Sequence, residues 1–241
     1  MSQMTNEAEL IRLLANAEST GTHTVDPVPF AALDRAAAYR IQAGVLAATG
    51  AAVGMLKTGI FADKAGVVAP IVAARVGHAP DFKMPSANLL GLEVEVGMVL
   101  KRDVASSADL PDAIDHYFTG VEICGSRFTN RAPAGPVGGL ADAMSALGYA
   151  IGAPRALGDK IDGLGITLDF AGARIWDAPA VHGFATVLAS LAAYADNQQE
   201  AYPLRAGTII TTGSMCGMVA VSGPGHVVAT LGDDRVEFDI V

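Results

Sequence analysis

The chain has 241 residues and a formal net charge of −9 at pH 7. This length is enough to bury a substantial core within one domain. A composition of 51% hydrophobic and 17% charged residues is typical of an ordered globular protein. The acidic excess argues against nucleic acid and anionic membranes as partners. The low density of charge predicts that apolar surface is covered in a homo-oligomer.

Targeting signals and thiol chemistry are both absent from the sequence pattern. The first residues, MSQMTNEAELIRLL, lack the basic flank and apolar run of a signal peptide, and no apolar stretch reaches the roughly 18 residues of a membrane span. We therefore expect a cytoplasmic protein. Cys124 and Cys216 form no CxxC motif and are expected to be reduced core residues. The histidines, His182 included, have no partner at ligand spacing and are expected at the surface or at caps.

The N-terminal part of the chain has helical periodicity. It predicts one helix over residues 6–17 and another over about 30–48 that ends at a glycine. A strand-like segment and a loop rich in Pro and Gly follow, leading to the strand LEVEVGMVL. We predict a small N-terminal helical subdomain with its connecting strand and loop over 1–85, and a β-rich catalytic domain over 86–241. The two parts can also behave as a single domain.

Short strands dominate the rest of the chain. The pattern predicts an α+β fold in which a mixed β-sheet forms a roll or barrel with helices outside it. The predicted elements are a short helix over 110–116, a strand over 117–128, a buried turn or helix over 141–154, a hairpin over 161–178 that turns at Ala171 and Gly172, a helix over 182–196 with Phe184 on its apolar face, and strands within 206–221 and 226–241.

Three acidic residues lie in apolar, strand-like segments. Glu93 and Glu95 are spaced as Glu-x-Glu, so both side chains must point to the same face of their strand. Glu122 stands between Val121 and Ile123, where an unpartnered carboxylate would be costly. Alternating acids also occur on the wet face of a strand, and the spacing alone leaves that interpretation open. A divalent cation would balance the acids, and carboxylate ligands favour magnesium, manganese or calcium over zinc or copper.

Further motifs accompany these acids in a fixed order. Lys57 lies in LKTGIF, Glu122 and Arg127 in EICGSR, Asp142 and Ser145 in DAMS, and Ser214 at the end of AGTIITTGS. Taken in order, the motifs resemble those of the 2-keto-4-pentenoate hydratase and 4-oxalocrotonate decarboxylase family, within the fumarylacetoacetate hydrolase superfamily. The similarity extends from Tyr39 to the last strand. Two departures are a shorter loop after Lys57 and Ala143 in place of the family's asparagine.

The resemblance implies a catalytic site with a divalent cofactor, Mg²⁺ or Mn²⁺. In the family pattern Lys57 transfers a proton or holds the substrate carboxylate, and desolvation is expected to lower its pKa towards the working range. Without the resemblance, Lys57 would be read as an exposed strand lysine, and Arg127 can also pair with an acid. The implied metal ligands are Glu93, Glu95 and Glu122, and the implied substrate-binding residues are Arg127, Asp142, Ser145 and Ser214.

The resemblance also implies a reaction on a small 2-oxo acid. We expect a hydratase, a lyase that adds water to a short 2-hydroxydienoate or 2-oxoalkenoate to give a 4-hydroxy-2-oxo acid, in the breakdown of aromatic compounds. The alternatives are decarboxylation of a 4-oxalocrotonate-like 2-oxo-3-enedioate, C–C hydrolysis of the fumarylacetoacetate type, and a non-catalytic subunit that associates with a related hydratase or decarboxylase. The count of 16 Lys and Arg favours hydration, because a second carboxylate needs further cations.

Overall fold

Five helices and thirteen strands form within residues 6–241, which are the residues that the computed structural model describes. The helices are α1 Glu7–Thr20, α2 Arg35–Thr49, α3 Leu110–Ala113, α4 Gly135–Ala141 and α5 Ala189–Ala195. The strands are β1 Val53–Ile60, β2 Gly66–Val72, β3 Val76–His78, β4 Lys83–Met84, β5 Leu89–Leu100, β6 Ile114–Gly125, β7 Ala146–Pro154, β8 Gly165–Phe170, β9 Ala173–Pro179, β10 Ile209–Ser214, β11 Val219–Ala220, β12 Gly225–Leu231 and β13 Asp234–Ile240.

The strands form two sheets, and the larger one carries Glu93, Glu95 and Glu122, the acids of the sequence motifs. The larger sheet has the order β2-β1-β10-β5-β6-β7-β3, with β11 paired to β5. It is mixed, since β1 runs parallel to β10 and β3 parallel to β7 while the other neighbours are antiparallel. The smaller sheet has the order β4-β13-β12-β8-β9. The larger sheet curls into a half-barrel, which gives it a concave face.

The main core lies between the two sheets and under α5. Val94 and Val96 of β5 and Phe238 of β13 are fully buried in one apolar cluster with Leu191 and Tyr194 of α5. Most of β5 and the second half of β6 are buried on both faces, so Glu93, Glu95 and Glu122 do not form a solvated face. The acids that the sequence places in these strands therefore lie in the interior of the fold.

The two N-terminal helices pack on a second apolar cluster. Leu14 of α1 and Ile41 of α2 meet Phe128 in this cluster. The Asp34 side chain caps α2 by accepting a hydrogen bond from the amide of Ala37, and the helix ends at Gly50 in a left-handed conformation. Within the described chain, no helix is long and apolar enough to cross a membrane.

The α+β fold with a curled mixed sheet is confirmed, as are both N-terminal helices. The predicted hairpin is also confirmed, and its turn residues Ala171 and Gly172 both have positive φ, as a tight hairpin turn of this type requires. The division of the chain at residue 85 stays a prediction.

Three local predictions are wrong. The segment after residue 145 is the strand β7, because its small residues allow close packing between neighbouring strands. The late helix contains only Ala189–Ala195, and the segment before it includes Ala185 at φ 73°, a conformation that a right-handed helix excludes. The short helix ends at Ala113, because β6 begins at the next residue to pair with β5.

Candidate functional site

The concave face of the larger sheet brings together Lys57 and the predicted acids. Glu93 of β5 lies directly opposite Glu122 of β6, an arrangement in which like charges repel. The Lys57 Nζ lies 2.6 Å from Glu122 Oε1 and 3.6 Å from Glu93 Oε2. In a flat sheet β1 and β6 would be about 14 Å apart, three strand spacings. The curl of the sheet is therefore what allows the lysine to reach both acids.

Glu95 lies on the same face, as its spacing from Glu93 predicts, and is fully buried. Its Oε2 accepts a hydrogen bond from the Thr211 hydroxyl, which lies 3.2 Å from the Tyr149 hydroxyl. Gly120 is opposite Glu95, and a Cβ at this glycine would come within 2.3 Å of the Tyr149 ring. Glycine here lets the tyrosine pack under the acid, so Tyr149 and Thr211 form the floor of the site.

The electrostatics of this group differ from the expectation for Lys57. Burial disfavours its ammonium, but Glu122 and Glu93 outweigh that effect and raise the pKa of Lys57 well above its usual value, so the predicted lowering is wrong. Burial raises the pKa of Glu122 to about 7. Burial, followed by the charge of Glu122, raises the pKa of Glu95 well above its usual value. The three carboxylates, when ionised, therefore carry more negative charge than the single Lys57 ammonium can balance.

The donor atoms fit a hard divalent cation. Glu95 Oε1 and Glu122 Oε2 are buried and have no hydrogen-bond partner among the described residues. When ionised, the three carboxylates exceed the single charge of Lys57 by two negative charges, the amount that one divalent cation supplies. Carboxylate oxygens are the ligands that Mg²⁺ and Mn²⁺ prefer. The structure thus provides a donor type and a charge that suit a divalent cation, and the assignment of Glu93, Glu95 and Glu122 as its ligands stays a prediction.

A thiol that the sequence interpretation placed in the core also lies within this group. Ligand atoms of Cys124, Glu93 and Glu122 all lie within 4.8 Å of one another. The Cys124 Sγ lies 3.6 Å from Glu122 Oε1, and burial raises the pKa of the thiol well above its usual value. A cysteine sulfur is a soft donor and a carboxylate oxygen a hard one, so the acids favour Mg²⁺ or Mn²⁺ at this group.

The acids can be reached from one side only. Lys57 and Glu93 expose 13% and 15% of their side chains, whereas Glu95 and Glu122 are fully buried. Beside Lys57, a Cβ on Gly59 would lie 3.4 Å from Met144 Sδ and 3.8 Å from the Phe184 ring. Phe184, predicted on a helix, instead belongs to a loop that helps to cover this face. The opening above the lysine is therefore narrow and partly apolar.

His182, predicted at the surface or at a cap, lies in the same loop and is buried, so the surface alternative is wrong. Its Nδ1 accepts a hydrogen bond from the amide of Phe184, which places the ring proton of the neutral side chain on Nε2. That Nε2 has no partner within the described chain, and burial lowers the pKa of the histidine. Nothing in the spacing of the histidines distinguishes this one, because its burial comes from contacts near Gly213.

Arg127 and Asp142 face each other rather than the acids. The Arg127 Nε donates to Asp142 Oδ1, its Nη2 donates to the Asp142 carbonyl at 2.6 Å, and its Nη1 donates to Glu18 Oε2 at 3.2 Å. Arg75 reaches the same Glu18 at 2.6 Å. All three guanidinium nitrogens of Arg127 are occupied, which favours the structural interpretation of this residue. A cavity of about 50 Å³ borders Arg127 and Asp142 but none of the three acids.

The DAMS segment forms a strained turn beside Lys57. Ala143, Met144 and Ser145 have φ values of 51°, 51° and 64°, a left-handed run that non-glycine residues rarely adopt. This turn brings the Met144 carbonyl to 3.5 Å from Lys57 Nζ. The Ser145 hydroxyl accepts a hydrogen bond of 2.9 Å from Arg131, a residue that the motifs did not identify.

Ser214, at the end of β10, lies beside the acids. It lies across from Glu95 in the pairing of β10 with β5, after an irregularity that includes Gly213 at φ 115°. Its hydroxyl accepts a hydrogen bond of 3.2 Å from the Cys216 amide. Ser214 and Ser145 therefore lie near the acids, and their role as substrate ligands stays a prediction.

Comparisons with known proteins show a family match and a shared fold. A family model described as fumarylacetoacetate (FAA) hydrolase C-terminal matches residues 57–240. Two structures of 4-oxalocrotonate decarboxylase from Pseudomonas putida G7, complexed with calcium and acetate or with magnesium and adipate, are similar over 100% of this chain and 99% of that chain. Their identities are 21% and 20%, with TM-scores of 0.80 and 0.79.

A more distant structural likeness covers a smaller part of the chain. The 2-hydroxyhepta-2,4-diene-1,7-dioate isomerase from Mycobacterium marinum is 15% identical with a TM-score of 0.56, over 79% of this chain and 76% of that chain. No curated protein sequence matches this chain. At these identities the structural likenesses establish the shared fold.

Replacing Glu95 with Gln should weaken Mg²⁺ binding by more than about tenfold, because a charged hard ligand becomes a neutral amide. The fold should persist, since the change removes a buried carboxylate with an unpaired oxygen. Titration calorimetry with Mg²⁺ and thermal unfolding measure the two effects. Glu237→Gln, in the exposed part of β13, is the control. Unchanged Mg²⁺ affinity in Glu95→Gln would remove Glu95 from the site.

Replacing Ala143 with Asn should stabilise the protein by about 1 kcal/mol, because asparagine tolerates the left-handed conformation better than alanine does. Urea unfolding measures the gain. Ala31→Asn is the matched control, since Ala31 is exposed and has an ordinary φ of −65°. A similar change in both variants would contradict the assignment of strain to this turn.

Proposed function

The chain belongs to the fumarylacetoacetate hydrolase C-terminal family, and from this premise we propose that it is a Mg²⁺- or Mn²⁺-dependent hydratase. The proposed reaction adds water to a short 2-hydroxydienoate or 2-oxoalkenoate and gives a 4-hydroxy-2-oxo acid. The observation that carries the proposal is the position of the Lys57 ammonium beside Glu122 and Glu93, within a group of acids that retains unpartnered buried oxygens.

Glu93, Glu95 and Glu122 would hold the cation. When bound, a divalent cation supplies Lewis acidity that polarises a 2-oxo acid and favours negative charge on its keto oxygen. The carboxylates are held in place by the pairing of β5 with β6 and by the Thr211 hydroxyl. This rigid arrangement supports chemistry in which charge develops at a fixed point, because fixed groups need little reorganisation as the reaction proceeds.

Lys57 is the residue best placed to move a proton. Its Nζ lies at the border between the buried acids and the exposed side of the site, with 13% of the side chain accessible. Hydration of a conjugated alkene needs one proton delivered to carbon and one removed from water, and the Lys57 ammonium, which Glu122 and Glu93 keep protonated, is suited to the delivery. Met144 and Phe184 limit the access of bulk water to this face.

Decarboxylation of a 4-oxalocrotonate-like 2-oxo-3-enedioate is the second candidate. The full-length likeness to 4-oxalocrotonate decarboxylase supports it, since that similarity includes the N-terminal helices as well as the sheets. The two reactions require the same binding of a 2-oxo acid end and the same stabilisation of negative charge. They differ in whether a carboxylate leaves as carbon dioxide or a water adds to the alkene.

A substrate panel separates these reactions. Purified protein with Mg²⁺ is incubated with short 2-hydroxydienoates and with 2-oxo-3-enedioates, and loss of ultraviolet absorbance is followed together with carbon dioxide release. Absorbance loss without carbon dioxide supports hydration, whereas stoichiometric carbon dioxide supports decarboxylation. Inactivity across the panel would contradict both and favour a non-catalytic subunit.

Replacing Lys57 with Met should lower turnover by about a hundredfold or more, in the range that general acid–base groups contribute. Mg²⁺ affinity should stay the same or increase, because the change removes a positive charge next to the acids. Steady-state kinetics on the active substrate and calorimetry with Mg²⁺ test the two parts. Lys83→Met, at an exposed strand residue, is the control. Normal turnover in Lys57→Met would exclude Lys57 from proton transfer.

A further inference from the structure

Cys124 has a position that the proposed function does not use. It follows Glu122 by two residues on β6, and Glu93 lies directly opposite Glu122 on β5. The Cys124 Sγ is 3.6 Å from Glu122 Oε1. One ligand atom from each of the three side chains lies within 4.8 Å of the other two. The sheet therefore brings one sulfur and two carboxylates together at a single point.

These separations suit a metal ion bound through sulfur and oxygen. Zn–S and Zn–O distances are about 2.3 and 2.1 Å, so a thiolate and a carboxylate on the same tetrahedral ion are about 3.6 Å apart. The distance between Cys124 Sγ and Glu122 Oε1 has this value. A sulfur that packed in the core without a function would have no reason to be at ligand spacing from two acids.

An unused oxygen in the same group indicates independently that a ligand is missing. Glu122 is fully buried, and its Oε1 accepts a hydrogen bond of 2.6 Å from Lys57. Its Oε2 is also buried and has no hydrogen-bond partner among the described residues. A buried carboxylate oxygen without a partner costs free energy, and a cation bound at this group would remove that cost.

The sulfur changes which cations the group can accept. Mg²⁺ and Mn²⁺ are hard and bind through oxygen, whereas thiolate ligands favour Zn²⁺ and similar softer cations. Zn²⁺ is commonly bound by cysteine together with carboxylates. When a thiol coordinates such an ion, the S–H proton leaves to solvent and a metal–sulfur bond replaces it. The group can therefore discriminate between cations by whether the sulfur takes part.

We propose that Cys124 is a metal ligand which, with Glu93 and Glu122, forms a thiolate site for Zn²⁺ or a similar divalent cation such as Co²⁺. This inference shares two acids with the Mg²⁺ site of the proposed function and does not depend on the reaction. Because both cations would need Glu93 and Glu122, they would exclude each other. Zn²⁺ would then displace Mg²⁺ and control how much of the protein carries the hard cation.

Co²⁺ is the probe for the thiolate site, because a bond between Co²⁺ and a thiolate produces a charge-transfer band in the near ultraviolet. Chelator-treated, full-length protein is titrated with Co²⁺, and Zn²⁺ is then added as a competitor. The native protein should develop the band and lose it on addition of Zn²⁺. Cys124→Ser should not develop the band. Cys216→Ser is the matched control and should retain it, since Cys216 belongs to no such ligand group in the described chain.

Calorimetry provides the second measurement. Cys124→Ser should bind Zn²⁺ about tenfold or more weakly, at least the loss that removing an outer-shell partner of a metal causes. Its Mg²⁺ affinity should stay the same, which also shows that the acids are still correctly folded. Cys124→Ala should behave in the same way, without placing a hydroxyl in the core.

The outcomes separate this inference from the proposed function. If the native protein shows no band, or if the band persists in Cys124→Ser, the thiolate site is wrong while Mg²⁺ binding and the proposed function stand. Equal losses of Zn²⁺ and Mg²⁺ affinity in both Cys124 variants would also overturn the selective role of the sulfur. If the native protein shows the band but does not bind Mg²⁺, the thiolate site stands and the proposed function is overturned.

Discussion

The face that carries the acids depends on a lysine placed beside two carboxylates that the sheet sets directly opposite each other. The pairing of β5 with β6 puts Glu93 against Glu122, and such a pair repels unless a positive group lies between them. Lys57 arrives from β1, which joins this part of the sheet through its parallel pairing with β10. In a flat sheet the lysine could not reach the acids, so the contacts on the concave face depend on the curvature of the sheet.

The N-terminal helices contribute to the site from a distance. Glu18 of α1 binds both Arg75 and Arg127, and Arg127 binds Asp142, the residue that begins the strained turn. Removing one member of a buried ion pair leaves an unpaired charge, which is strongly destabilising. This chain of ion pairs therefore anchors the turn that contacts Lys57 and Arg131. In physical terms α1 supports the active-site face although it supplies no group to the acids.

The sequence could predict features that depend on local periodicity, and it could not predict those that depend on register. The common face of Glu93 and Glu95 follows from strand alternation alone. The raised pKa of Lys57 does not, because it arises from acids two and three strands away that only the curled sheet brings close. The burial of His182 depends likewise on a loop whose helical periodicity is misleading. Arg131 was missed because its contact with Ser145 is a property of the folded molecule, not of a motif.

The proposed function requires an acidic protein to bind an anion. With a net charge of −9, the protein repels anions overall, so binding depends on positive groups placed where the ligand's charges will be. Lys57 with the proposed metal would provide such a place, because both would lie among the acids of the concave face.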